Sequence, residues 1–146
     1  MLLQSGGGRG KMMSYRTMVL IPDQQELTFS DLASKLQSRF VRMNDIDITL
    51  EGAHRLILHH GEWSLAVEWE AAPEVAVESA DIARLFASEV ADRAVIASCS
   101  TRITIAAQFD PTMRYFNDYV FVLEVLEAIP GLFLFDPEEG TIRKTA

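Results

Sequence analysis

The stretch from Arg55 to Glu70 constrains the fold more than any other part of the chain. Trp63, Leu65, Val67 and Trp69 alternate with Ser64, Ala66, Glu68 and Glu70. Successive side chains of a strand point to opposite faces, so strict alternation specifies a strand with one buried and one wet face. Arg55–His60 and then Gly61-Glu62 precede it. A two-residue loop with glycine first matches a type II′ hairpin. That loop sets the register, with His60 opposite Trp63, Leu58 opposite Leu65, Leu56 opposite Val67 and Arg55 opposite Glu68. Leucines then meet apolar partners on one face, and a charge meets its counter-charge on the other. Ile46, Ile48 and Leu50 alternate with Asp47, Thr49 and Glu51, which adds a strand joined through a three-residue loop, Glu51–Ala53.

The flanking sequence supplies helices and further strands. Tyr15–Ile21 reads as a first strand, stopped by Pro22-Asp23. Thr28 and Asp31 form a capping box, and Leu32, Leu36 and Phe40 follow at helical spacing, which predicts a helix over 29–41. After Pro73, Ser79 is placed to cap a second helix with a stripe of Ile82, Leu85, Phe86 and Val90, running to about Ser98. Ile103, Ile105, Ala107 and Phe109 alternate with Arg102, Thr104, Ala106 and Gln108 as another half-buried strand. Phe116–Ile129 is helical and apolar around nearly its whole circumference. Such a helix lies between a sheet and another helix, or meets a second subunit. Leu132–Phe135 reads as an interior strand covered on both sides, and Thr141–Arg143 as a short one after the Asp136–Gly140 turn. The order β-α-β-β-β-α-β-α-β predicts one two-layer α+β domain over 14–146. Its sheet is mixed but mainly antiparallel, with helices mainly on the Trp63/Trp69 face. Residues 1–13, with three consecutive glycines, read as a flexible tail. Gly10-Lys11 does not complete a phosphate loop, because Ser5 stands at the leading glycine position and Met12 replaces the Ser/Thr.

Composition narrows the function classes. The chain has 146 residues, 49% of them hydrophobic, which suits one globular domain rather than a disordered chain. No apolar run is long enough to span a bilayer, and no secretory h-region follows Met1. One cysteine makes neither an intrachain disulfide nor a cysteine cage, and an unpaired thiol fits a reducing, cytoplasmic setting. The net charge of −8 argues against nucleic acid as a partner. Eighteen of the 21 acids lie after residue 44. Between Arg55 and Arg84 there is no Lys or Arg, while Glu62, Glu68, Glu70, Glu74, Glu78 and Asp81 crowd that interval.

Catalytic and metal chemistry find little support. His54, His59 and His60 are the only histidines. On a strand His59 and His60 face opposite ways, and His54 lies about 20 Å from His60 at about 3.3 Å per residue, so they do not share one ion. His60 is expected to stack on Trp63 and His59 to be exposed. Cys99 sits among small hydroxyls with no evident base and reads as a buried apolar group. Glu68 and Glu70 share one face at about 7 Å, a spacing glycosidases use, but on a wet face that leaves them an ordinary surface pair. The most site-like segment is Asp110–Tyr119, with Asp110, Arg114, Tyr115, Asn117 and Asp118 at the entry of a helix. Capping by Asp110 and by Asn117 or Asp118, with Arg114 paired to an acid, accounts for the same residues.

Two readings follow. The first is a non-enzymatic, cytoplasmic protein-binding module without cofactor, metal or catalytic residues. It docks a basic protein through Glu62, Glu68, Glu70, Glu74 and Glu78, as an inhibitor or immunity-type protein would. The second is a small-molecule sensor or enzyme with Asp110, Arg114, Tyr115 and Asp118 around a pocket. Neither involves a membrane, and the apolar helix 116–129 predicts a homodimer.

Overall fold

The computed structural model describes residues 14–145, so the expected tail of residues 1–13 lies outside the described residues. The elements run β1 (Arg16–Ile21), α1 (Phe29–Phe40), β2 (Ile46–Glu51), β3 (Arg55–His60), β4 (Trp63–Glu70) and α2 (Pro73–Phe86), followed by α3 (Arg93–Ala97), β5 (Thr101–Ala107), α4 (Phe116–Glu127), β6 (Phe133–Asp136) and β7 (Thr141–Lys144). The seven strands of the described residues belong to one sheet in the order β2-β3-β4-β5-β1-β6-β7. Every neighbouring pair is antiparallel, so the α+β class holds and the sheet contains no parallel pair among the described residues.

The β3–β4 hairpin forms in the register its turn dictates. Leu56 faces Val67, Leu58 faces Leu65, and Arg55 lies 3.4 Å from Glu68. Gly61 has a φ of +62° while Glu62 does not go positive, as a type II′ turn requires. The β2–β3 loop has the expected three residues but occupies 52–54, because Glu51 stays in the ladder opposite Arg55 and ion-pairs with it. The Thr28/Asp31 capping box closes in both directions at the start of α1.

Two cores flank the sheet. The larger holds α1 and α4 against Leu56, Leu58, Trp63, Leu65, Val67, Ile103 and Ile105, the face that the alternation assigned. The smaller adds a partial layer on the reverse face, where Ile82, Ala83, Ala87, Ile96 and Cys99 pack on Leu20, Phe133 and Phe135. That explains the unbroken apolar run of β6, which is buried on both sides. Part of the apolar circumference of α4 is covered within one chain, while Phe116 is exposed and Val120, Leu123 and Val125 are half-buried. Val122 and Leu126 face the core, and Phe121 lies 6.3 Å from Phe40 of α1 and 4.2 Å beneath the Arg39 guanidinium. Tyr119 meets Tyr15 on β1's side.

The second helix departs from expectation. It begins at Pro73, whose missing N–H is no loss in a first turn, so no side-chain cap is needed. Ser79 therefore sits buried in mid-helix rather than at the cap. The helix stops at Phe86 and α3 resumes at Arg93. Leu85 and Phe86 are 59% and 42% exposed, outside the expected buried stripe. No glycine or proline marks the break. It lets Ala87, Ile96 and Cys99 turn onto the second core.

Candidate functional site

The acids proposed for docking separate into two kinds. Glu68 is paired with Arg55 at 3.4 Å, and Glu70 and Glu78 share Arg102. Glu62 and Glu74 are exposed and have no ion pair among the described residues. Glu62 lies at the hairpin tip, Glu74 just past the other end of β4.

At that second end lies a cleft of about 750 Å3. Trp69 and Glu70 point to opposite faces of β4, but at the strand's end both faces meet the opening. Phe29 from the first turn of α1, His54 from the β2–β3 loop and Glu74 and Val75 from the first turn of α2 complete the walls. Phe29 stands edge-on to Trp69 at 6.4 Å. Glu70 is held in place: its Oε1 accepts from Arg102 Nε at 2.9 Å and from Thr104 Oγ1 at 3.0 Å. Its Oε2 carries no hydrogen bond among the described residues. Arg102 is only 8% exposed and also donates to Glu78. Burial works against its charge, but the bonds to Glu78 and Glu70 outweigh that and raise its pKa above the ordinary value. The result is a preset carboxylate beside two aromatic rings, with a free carboxylate on the rim.

The 110–118 loop is built inward. Asp110 is buried and accepts from Tyr15 OH at 2.9 Å, Arg114 N at 3.0 Å and Tyr115 N at 2.9 Å. It caps the turn, as the sequence predicts. Asp118 does not cap α4; its carboxylate is buried and meets His60 Nδ1 at 2.6 Å. Tyr115, not His60, takes the stacked position on Trp63, at 5.0 Å and 12°. His60 instead lies edge-on to Tyr115 at 4.9 Å. Arg114 is exposed, without an ion pair among the described residues, and its guanidinium lies 5.4 Å from the Tyr115 ring. Met113, at the tip, has a φ of +57°, the one positive value among described non-glycine residues. The cavity beside this loop is lined by Tyr15, Phe116 and Tyr119 rather than by Asp110, Arg114 and Tyr115.

Cys99 is fully buried, and burial together with the charge of Asp23 pushes its thiol up to about 11. That suppresses the thiolate a nucleophile needs. No group of three metal-ligating side chains occurs among the described residues. None of their helices is long and apolar enough to cross a membrane.

Phe29, Trp69 and Arg102 were not singled out by sequence as site residues, nor was the His60–Asp118 pair. Only the alternation hinted at Arg102, by placing it on the outer face of its strand. That β5 would lie beside β4 and bring Arg102 to Glu70 was not readable, because a helical segment separates the two strands. Comparison with protein-family models, with curated proteins and with solved structures finds no match for this chain.

Proposed function

We propose that the protein is a cytoplasmic, non-enzymatic binding module that docks a basic protein at the β4–α2 cleft. The observation that carries this reading is Glu70, fixed through one oxygen by Arg102 and Thr104 with the other uncommitted, beside Trp69 and Phe29. A lysine or arginine of the partner fits this chemistry. Its aliphatic stem covers the rings and its head meets Glu70 Oε2 and Glu74. A preset carboxylate loses little freedom on binding, which favours affinity. The surrounding acids steer a basic partner on approach. Masking a basic enzyme by occlusion, as inhibitor or immunity-type proteins do, is one concrete form of this activity. The buried unpaired thiol of Cys99 fits a reducing compartment.

The test is affinity capture from native cell extract, with the full chain as bait, at low and high salt. A basic protein retained at low salt and released at high salt is expected. Against that purified partner, Glu74→Lys weakens binding at least about tenfold, the scale of a lost charge-assisted bond. Glu62→Lys, at the far end of β4 and about 26 Å away at about 3.3 Å per residue, alters only the long-range charge and is expected to weaken binding less than Glu74→Lys. Retention indifferent to salt and to Glu74→Lys overturns the reading.

A further inference from the structure

A second cavity, of about 370 Å3, lies between α4 and the β1–β6–β7 side of the sheet. Its lining includes Tyr15, Thr17, Phe116, Tyr119, Leu123 and Leu134. Three features suit it to a ligand. The first is aromatic walls. Tyr15 lies 5.2 Å from Phe116 and 5.1 Å from Tyr119, and Phe116 lies 6.3 Å from Tyr119, so the three rings pack on one another and form one continuous aromatic wall. The second is size, which falls at the lower end of small-molecule sites and admits two fused rings.

The third is an unfinished hydrogen-bond arrangement. Thr17 Oγ1 and Tyr119 OH are each on residues 7% exposed and bond to one another. Two hydroxyls carry two protons, and one bond between them uses only one. The remaining O–H has no acceptor among the described residues. Tyr15 OH does not provide one, because it is committed to Asp110. Both residues line the cavity, so an acceptor supplied from it completes that donor.

Charge at the rim balances. Arg143 is bonded to Glu127, and Asp136 accepts from the backbone of Glu138 and Glu139. Arg16 and Glu138, the other charged lining residues, are opposite in sign. We propose that this cavity binds a small, neutral, planar aromatic compound bearing one hydrogen-bond acceptor, its rings against the wall of Tyr15, Phe116 and Tyr119 and its acceptor at the Thr17–Tyr119 hydroxyl pair. The inference is independent of the docking cleft, which lies at the other end of the sheet.

Two isosteric probes test it on the full chain at neutral pH. Quinoline has a ring nitrogen acceptor; naphthalene has none. Titration followed by amide chemical-shift changes and by calorimetry is expected to show saturable binding of quinoline, about tenfold tighter than naphthalene. The double variant Thr17→Val/Tyr119→Phe removes both hydroxyls and strands neither, and it is expected to bind the two compounds equally. Leu123→Trp fills the cavity and is expected to abolish both titrations. No saturable shift with quinoline, or naphthalene binding as tightly to the native chain, overturns the proposal even if a variant fails to fold.

Discussion

At the scale of single residues, burial decides whether a polar group is a site or a support. Asp110 is the clearest support. Its two oxygens receive three donors at 2.9 to 3.0 Å, and it is 2% exposed. Asp110→Ala removes the acceptor and strands those donors, so a loss of about 3 kcal/mol is expected in urea unfolding. An unchanged midpoint would show the loop to be held by the Tyr115–Trp63 stack instead. Asp110 was legible as a capping group because aspartate followed by proline is a local signal. The inward turn of Asp118 was not. Its partner, His60, lies 58 positions away, and no local pattern couples the two. The same holds for Glu70, whose surface appearance in the sequence conceals Arg102, 32 positions on.

At the scale of elements, period and turn chemistry carried most of the reading, and one helix broke it. The β3–β4 hairpin was readable because its turn and its alternation specify the same register independently. For α2, serine at 79 offered an N-cap, whereas proline at 73 was the true start signal. The two readings predict opposite signs for one mutation. Were Ser79 the cap, Ser79→Ala would cost about 1 kcal/mol. Its Oγ is buried in mid-helix with no hydrogen-bond partner among the described residues, so the variant is expected to gain about 1 kcal/mol by removing an unsatisfied hydroxyl and adding helix propensity. A shift of the urea midpoint decides between them. The break after Phe86 had no local mark, since it follows from where α3 must pack.

At the scale of the whole molecule, the two cores couple distant groups to one stability. Cys99 in the smaller core is held at about 11, above its ordinary 9.0. Tyr15 is raised from 10.0 to about 12 by burial and then by the bond to Asp110 and its charge. Tyr119 is raised by burial. Each group keeps its proton in the folded chain at pH values where the unfolded chain has lost it. Their contribution is complete below about pH 9 and is lost as pH rises through about 9 to 12. The melting temperature is expected to fall over that range, and less so in Cys99→Ala/Tyr15→Phe. An equal fall in the variant would assign the alkaline limb to other groups. By itself the sequence determined the strands, the central hairpin with its register, the α1 cap and the α+β class. All of these rest on interactions between residues close along the chain, where alternation, helical spacing and turn chemistry act directly. Only the tertiary structure decided that β5 lies between β4 and β1, that helices cover both faces, and that Trp69, Phe29, Glu70 and Arg102 meet in one cleft. Backbone pairing is nearly indifferent to which strands are joined, so that choice falls to the summed packing of side chains far apart in sequence.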